Sequence, residues 1–227
     1  MNKKLVITLL MLGVFLQSGA PCKADGSARE GEKKVKNLPE PRMEGTISVE
    51  DAIAKRRSVR SFLDKALSDA ELSQILWAAQ GITDKRRGFR AAPSAGATYP
   101  LETYVVTRKG VFHYLPEKHA LEEVRRGDFR KELAQAALGQ GFIREAPAVI
   151  VFTTMPERTT RRYGNRGNMY IHMEAGHAAE NVHLQAIALG LASVPVGAFV
   201  DREVESVIGS SKGETAIYLI PVGREKK

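Results

Sequence analysis

The spacing of apolar residues predicts five helices. Two are expected at 48–56 and 68–80, where Ser48 and Ser68 each precede an acidic residue by three positions, a pattern that favours helix initiation. Gly81 ends the second helix. The longest helix is expected at 168–189, and shorter ones at 129–138 and 201–208. The apolar positions are Val49, Ala52 and Ile53 on the first helix and Ile171, Ala175, Ala178, Val182, Ala186 and Leu189 on the longest.

Short runs of β-branched and aromatic residues predict the strands. Residues 103–107 and 111–115 flank Arg108-Lys109-Gly110 as the two strands of a hairpin. Residues 148–154 form a continuous apolar run, which predicts a central strand buried on both faces of a sheet. A last strand is expected at 216–221.

The first 24 residues have the pattern of a signal peptide. Lys3 and Lys4 form a charged start, residues 5–16 are apolar, and residues 22–24 form a small-residue end of the cleavable type. The apolar run is too short to cross a bilayer comfortably. We therefore expect cleavage after Ala24 and export, with the periplasm as the destination. Lipid attachment at Cys22 is the alternative, and only in that case do we expect contact with a membrane.

The mature chain is expected to be a spacer followed by one domain. Residues 25–46 are rich in Gly, Pro, Lys and Glu and have little to bury, so a flexible spacer is predicted. Residues 47–227 are long enough for a single domain with a sizeable core. Cleavage after Ala24 would remove Cys22, the one cysteine of the chain. A disulfide framework, a cysteine nucleophile and a thiolate metal site are then excluded.

The formal net charge of +8 calls for an anionic partner. Nucleic acid is disfavoured, because aromatic residues make up only 7% of the chain and no basic region is interleaved with them as a stacking platform. An anionic membrane surface or a phosphorylated cofactor remains. The most concentrated charge is a stretch that we call the basic segment, Arg56-Arg57-Ser58-Val59-Arg60.

The basic segment has the donors of a phosphate clamp. A guanidinium group is a planar fork that matches two phosphate oxygens, and the Ser58 hydroxyl adds a short neutral hydrogen bond. The alternative is a solvated helix end, since cations near a helix C-terminus also complement its dipole. These five residues alone leave both interpretations open.

Other site chemistries receive little support. Histidine and glutamate residues cluster on the predicted long helix, but their spacing is not His-Glu-x-x-His, so no metal site is expected. No Gly-x-Ser-x-Gly motif of a serine hydrolase and no phosphate-binding Gly-x-x-x-x-Gly-Lys motif is present.

Four motifs in order resemble the nitroreductase family of flavin enzymes, and more narrowly its SagB-type dehydrogenase branch. They cover most of residues 47–223. The motifs are the basic segment, the stretch Ala92-Pro93-Ser94-Ala95-Gly96-Ala97-Thr98-Tyr99-Pro100-Leu101-Glu102, the pair Tyr163-Gly164-Asn165-Arg166-Gly167 and Glu174-Ala175-Gly176-His177, and Pro195-Val196-Gly197-Ala198-Phe199.

The resemblance implies an α+β fold in which helices surround a mixed central sheet, and a homodimer with flavin mononucleotide (FMN) in each interface cleft. NAD(P)H is the candidate electron donor, and a small organic molecule is the substrate. The flavin would carry the chemistry, with hydride entering and leaving in two half-reactions. By resemblance the cofactor contacts are Arg56, Arg57, Ser58 and Arg60 at the phosphate, ribityl chain and one ring edge, Ser94, Ala95 and Gly96 from the partner subunit, Pro195, Val196 and Gly197 along the ring, and Arg224 closing the phosphate site.

The sequence departs from its nearest branch next to Tyr163. Azoline-oxidising members resembling this chain carry a Lys-Tyr pair there, whereas this chain has Arg162-Tyr163. An arginine stays protonated and is a poor general base, so azole formation is not expected and Tyr163 is a weak candidate for catalysis. An exported flavin-binding or ligand-binding protein without turnover is the alternative function.

Overall fold

The computed structural model describes residues 34–227. The predicted signal peptide and the start of the predicted spacer lie outside the described residues. In chain order the elements are β1 (Val35–Asn37), α1 (Val49–Lys55), α2 (Asp69–Gln80), β2 (Ile82–Asp84), β3 (Phe89–Arg90), a 3-10 turn (Ala95–Ala97), β4 (Leu101–Thr107), β5 (Gly110–Leu115), β6 (Ala120–Arg126), α3 (Arg130–Ala136), α4 (Gly141–Glu145), β7 (Ala148–Thr154), α5 (Glu157–Tyr163), α6 (Arg166–Ala188), β8 (Ala192–Ser193), α7 (Asp201–Ile208) and β9 (Thr215–Gly223).

A seven-stranded sheet forms the centre of the described domain. Its strand order is β1-β6-β5-β4-β7-β9-β8, and the neighbouring strands are antiparallel. One parallel bridge joins Ser58 to Ser193 beside this sheet. β2 and β3 form a separate two-stranded ribbon. The predicted α+β fold class is confirmed.

Helices cover both faces of the sheet because its central strands alternate between two apolar clusters. On β7, Ile150 and Phe152 pack in the cluster that holds α2 and α6, while Val149 and Val151 pack in the cluster that holds α3, α4 and α7. Every residue of β7 is buried, as its apolar run predicts. Full burial of a side chain such as Phe152 contributes about 1.5–3 kcal/mol of transfer free energy.

The structure corrects the second half of the predicted spacer. Residues 35–37 form β1, which pairs with β6 at the edge of the sheet. Leu38 is buried in the core, and its N–H donates to the His119 carbonyl. Gln74 on α2 then holds the backbone of Arg42 by two hydrogen bonds. A composition with little to bury predicted a spacer, but a few backbone bonds and one apolar side chain are enough to add an edge strand.

The predicted apolar side of α1 is also corrected. Only Ala52 is buried, whereas Val49 and Ile53 are exposed. Among the described residues, no helix is long and apolar enough to cross a membrane.

Candidate active site

The basic segment begins where α1 ends. Ser48 caps the start of this helix by accepting a hydrogen bond from the Asp51 N–H, and Arg56 is its C-terminal cap. Arg57 donates through one guanidinium nitrogen to the carbonyls of Ala54 and Arg56, at 3.0 and 2.7 Å. Part of the Arg57 side chain therefore satisfies the helix end, as the alternative interpretation of this segment predicts.

The basic segment is joined to the start of the Pro195 turn. Ser58 forms a parallel bridge with Ser193, and the Val59 N–H donates to the Ser193 carbonyl at 3.1 Å. The Val196 N–H donates to the carbonyl of Leu219 on β9, and the Leu219 N–H donates to the Val196 carbonyl. Two motifs that are far apart in the sequence are thus placed side by side by the sheet.

The exposed groups of this region are polar donors and backbone. The side chains of Ser58 and Arg60 are exposed, and so is Gly197. The Val196 side chain packs into the core, so only its backbone is able to line a ligand as predicted. Arg56 is half-buried, with its Nε 3.8 Å from a carboxylate oxygen of Glu180.

His183 on α6 is a further member of this region that the motifs did not identify. It is 2% exposed, and its Nδ1 lies 2.8 Å from Ser193 Oγ. Burial and the nearby Arg56 charge lower its pKa to about 4, so the ring is neutral at ordinary pH. Its Nε2 is buried and has no hydrogen-bond partner among the described residues. In the sequence His183 is one more position on a buried helix stripe, which gives no signal of a site.

The loop at Ser94, Ala95 and Gly96 is the part of the predicted site that would reach the flavin of the partner subunit. Gly96 has φ +60°, and Ala97 and Tyr99 also have positive φ values of 53° and 44°. Such a conformation costs about 1–3 kcal/mol at a residue other than glycine, so the surrounding contacts must hold it. Ser94 Oγ provides one of them by accepting the Tyr99 N–H at 2.9 Å.

The end of α5 lies against this loop. Arg162 donates to the Gly96 carbonyl at 3.2 Å. A Cβ atom at Gly96 would lie 2.5 Å from the Tyr163 hydroxyl and 2.7 Å from an Arg162 guanidinium nitrogen. The positive φ favours glycine at this position, and the ends of the Tyr163 and Arg162 side chains lie close beside it.

Glu174 on α6 contacts the same loop by accepting a hydrogen bond from the Ser94 side chain. It is 2% exposed, and its Oε1 has no partner among the described residues. Burial raises its pKa to about 7, while a hydrogen bond from Ser94 and the charge of Arg90 act in the opposite direction. Glu174 and His183 are separated by nine residues, or about 14 Å along the helix axis. The Ser94 loop and Ser193 thus contact α6 at positions about 14 Å apart along its axis.

Arg224 has a partner inside the fold. One of its terminal nitrogens lies 2.5 Å from Glu71 Oε1, in the first turn of α2. Its other terminal nitrogen is buried and has no hydrogen-bond partner among the described residues. The ion pair gives Arg224 a structural role, and its closing of a phosphate site stays a prediction.

Comparison with known proteins identifies the family to which this fold belongs. The sequence model of the nitroreductase family matches residues 53–224. A Methanocaldococcus jannaschii protein with a provisional nitroreductase name is 49% identical over 185 residues, which cover 79% of this chain and 92% of that protein. The chain therefore belongs to the nitroreductase family and is an oxidoreductase.

Solved structures agree with this assignment. The crystal structure of a provisionally named nitroreductase from Ralstonia eutropha matches with a TM-score of 0.78 and 30% identity, covering 85% of this chain and 90% of that one. The NADPH:FMN oxidoreductase of Vibrio harveyi, solved with NAD+, matches with a TM-score of 0.58 and 19% identity. That match covers 79% of this chain and 69% of the Vibrio protein, and it shows a shared fold.

Proposed function

We propose that the protein is an FMN-dependent oxidoreductase that passes hydride or electrons from a donor such as NAD(P)H to a small organic substrate. The observation that carries this proposal is the pairing of Ser58 with Ser193, which sets the basic segment beside the Pro195 turn. Exposed cationic donors next to a turn of exposed backbone fit a ligand that has a phosphate at one end and a ring at the other.

The chain offers specific groups to each part of FMN. Arg56 and Arg60 supply charged donors for the phosphate, and the Ser58 hydroxyl supplies a neutral one. The backbone of the Pro195 turn would line the ring. His183 Nε2 is a buried polar atom in need of a partner, and such an atom beside the basic segment fits a bound polar ligand. When bound, the flavin supplies hydride chemistry, and the protein supplies binding, orientation and hydrogen bonds.

We also propose a homodimer in which the Ser94 loop reaches the flavin of the partner. Four apolar side chains are exposed on two helices that contact each other, α1 and α6. Exposed apolar side chains on neighbouring helices support an interface with a second copy. The residues are Val49, Ile53, Met169 and Met173.

The SagB-type branch and export are further parts of the proposal. The stretch 92–102 and the motifs at 163–177 support the branch, with Arg162 as the departure that argues against azole formation. The leader at 1–24 supports export to the periplasm. Fractionation of cells that express the full chain tests this, since a protein found only in the cytoplasm at full length would contradict it.

The visible absorption spectrum of the purified protein tests the cofactor assignment. We expect a bound yellow chromophore that bleaches with reduced nicotinamide and returns in air. A coloured protein that no donor reduces would favour the binding protein without turnover. A colourless protein that also fails to take up added FMN would overturn the proposal.

A double substitution tests the phosphate clamp. Arg56→Ala with Arg60→Ala removes two charged donors, so flavin occupancy should fall at least tenfold while the fold remains, because each charge-assisted hydrogen bond contributes about 1.5–3 kcal/mol. The control pair is Arg144→Ala with Arg202→Ala, two exposed arginines on other helices. Equal flavin content in both double variants would contradict the assignment.

A further inference from the structure

Two arginines flank a pair of tyrosine rings where α5 ends and α6 begins. The rings of Tyr163 and Tyr170 pack edge to face, with centroids 5.2 Å apart and planes at 85°. The Arg162 guanidinium carbon is 5.4 Å from the Tyr163 centroid, and that of Arg166 is 5.8 Å from the Tyr170 centroid. We call these four residues the Arg-Tyr patch.

The two arginines of the Arg-Tyr patch are not neutralised within the described part of the chain. Neither has a carboxylate within 4.0 Å there, whereas nearby Arg158 and Arg161 are paired with Glu102 and Glu157. The hydrogen bond from Arg162 goes to a neutral carbonyl, that of Gly96. Both guanidinium groups are exposed, and the tyrosine rings are half-buried. The patch therefore offers positive charge beside an apolar aromatic surface.

The location of the patch connects it to the proposed flavin site. Gly96 belongs to the loop that we place against the flavin, and both Arg162 and Tyr163 touch it. Gly164, with φ +55°, turns the chain between the two helices so that residues on either side lie close to each other. A molecule that reaches the ring past this loop would meet the Arg-Tyr patch.

We infer that the Arg-Tyr patch is the substrate side of the site and selects planar electron acceptors that carry a carboxylate or another anionic group. This inference rests on the proposed function. A guanidinium fork binds a carboxylate in a bidentate manner, and tyrosine rings offer edge and face contacts to a planar molecule. The formal net charge of the chain, which is +5 without the three lysines of the predicted leader, favours the approach of the same class of molecule.

Direct binding tests the inference without turnover. The affinity of oxidised, flavin-loaded protein for 4-nitrobenzoate and for nitrobenzene is measured by calorimetry in the absence of a reductant. Arg162→Gln should weaken 4-nitrobenzoate binding about tenfold or more, the loss of one charge-assisted contact, and leave nitrobenzene within twofold. Arg166→Gln should act in the same direction, and Arg162→Lys should restore part of the affinity.

The matched control is Arg161→Gln on the same helix, because Arg161 is already paired with Glu157. It should change neither affinity. Equal losses for the charged and the neutral compound, or no loss in Arg162→Gln, would overturn the inference. Flavin content is recorded for every variant. A colourless wild-type protein that still binds 4-nitrobenzoate through Arg162 would support the anion site and overturn the flavin assignment, so the two failures are distinguishable.

Discussion

Among single residues, His183 has an environment that links its protonation to folding. Burial and the charge of Arg56 lower its pKa from 6.5 to about 4. Between these two pH values the unfolded chain binds a proton and the folded chain does not. The stability conferred by neutral His183 is therefore complete above about pH 6.5 and is lost as the pH falls toward 4.

Substitution of His183 should reduce the loss of unfolding free energy as the pH falls from 7 to 4. In the wild type we expect His183 to account for a loss of up to about 3 kcal/mol between pH 7 and pH 4. His183→Gln keeps a polar side chain that does not titrate, so its stability should fall less over that range. Denaturant unfolding at several pH values measures the slope. A slope in His183→Gln identical to that of the wild type would contradict the prediction.

Gly96 combines a left-handed backbone conformation with a hydrogen bond that its carbonyl accepts from Arg162. Gly96→Ala adds a Cβ in a left-handed conformation and within 3 Å of Tyr163 and Arg162. We expect a loss of about 1–3 kcal/mol in unfolding free energy, together with weaker flavin binding as the loop shifts. Gly141→Ala is the control, because a Cβ there meets nothing within 4 Å and φ is not positive. A Gly96→Ala protein as stable as the control would show that the loop adapts freely.

Among the elements, α2 is the helix whose start is tied to the end of the chain. Ser68 and Glu71 form a capping box, and Glu71 also accepts from Arg224. Burial acts to raise the pKa of Glu71, but the hydrogen bonds from Ser68 and the charge of Arg224 outweigh it and hold the pKa below its ordinary value. One carboxylate thus supports both a helix start and the segment after β9.

Removal of that carboxylate should cost more than the loss of a helix cap alone. Ser68→Ala is expected to lower the unfolding free energy by about 1 kcal/mol. Glu71→Ala should lower it by about 2–3 kcal/mol, because the mostly buried Arg224 is then left without its partner. Asp51→Ala is the control at the corresponding position of α1, where the carboxylate pairs with Lys55 and both side chains are exposed. Thermal unfolding compares the three, and equal losses at Glu71 and Asp51 would contradict the role of Arg224.

Elements with strong patterns could be predicted, and those held by tertiary contacts could not. The buried strand β7 and the long helix α6 follow from an apolar run and a helical stripe. α5 reads Glu-Arg-Thr-Thr-Arg-Arg-Tyr and buries only Thr159, so packing against α6 rather than an apolar face stabilises it. β6 was missed for a similar reason, since glutamates interrupt its apolar residues.

The candidate site also has parts that the sequence predicts and contacts that only the fold supplies. The basic segment and the Pro195 turn were found as motifs, because a cluster of arginines and a turn of small residues are visible in the sequence. Their contact through Ser58 and Ser193 depends on the arrangement of β8 and β9, which no local pattern specifies. The pairing of Arg224 with Glu71 was missed because it joins residues that only the complete fold brings together.

On the scale of the whole molecule, the proposed homodimer rests on the exposed apolar side chains of α1 and α6. Val49 and Ile53 are 65% and 57% exposed, and Met169 and Met173 are 45% and 49% exposed. Their exposure in a single chain leaves apolar surface in contact with water, and burial against a second copy would remove it. Glu174 beside the Ser94 loop and His183 beside the basic segment are about 14 Å apart along the axis of α6. The proposed dimer would bring the loop of one subunit to the basic segment of the other.

The dimer can be tested together with the cofactor it is proposed to hold. Met169→Glu with Met173→Glu places two carboxylates on the proposed interface, where burial without a partner is costly, so the protein should sediment as a monomer. Flavin occupancy should fall with it, because the Ser94 loop of the partner is then absent from the cleft. Met43→Glu is the control, since Met43 is 70% exposed on the N-terminal segment and outside both helices. A double variant that is monomeric and keeps its full flavin content would show that one chain completes the site by itself.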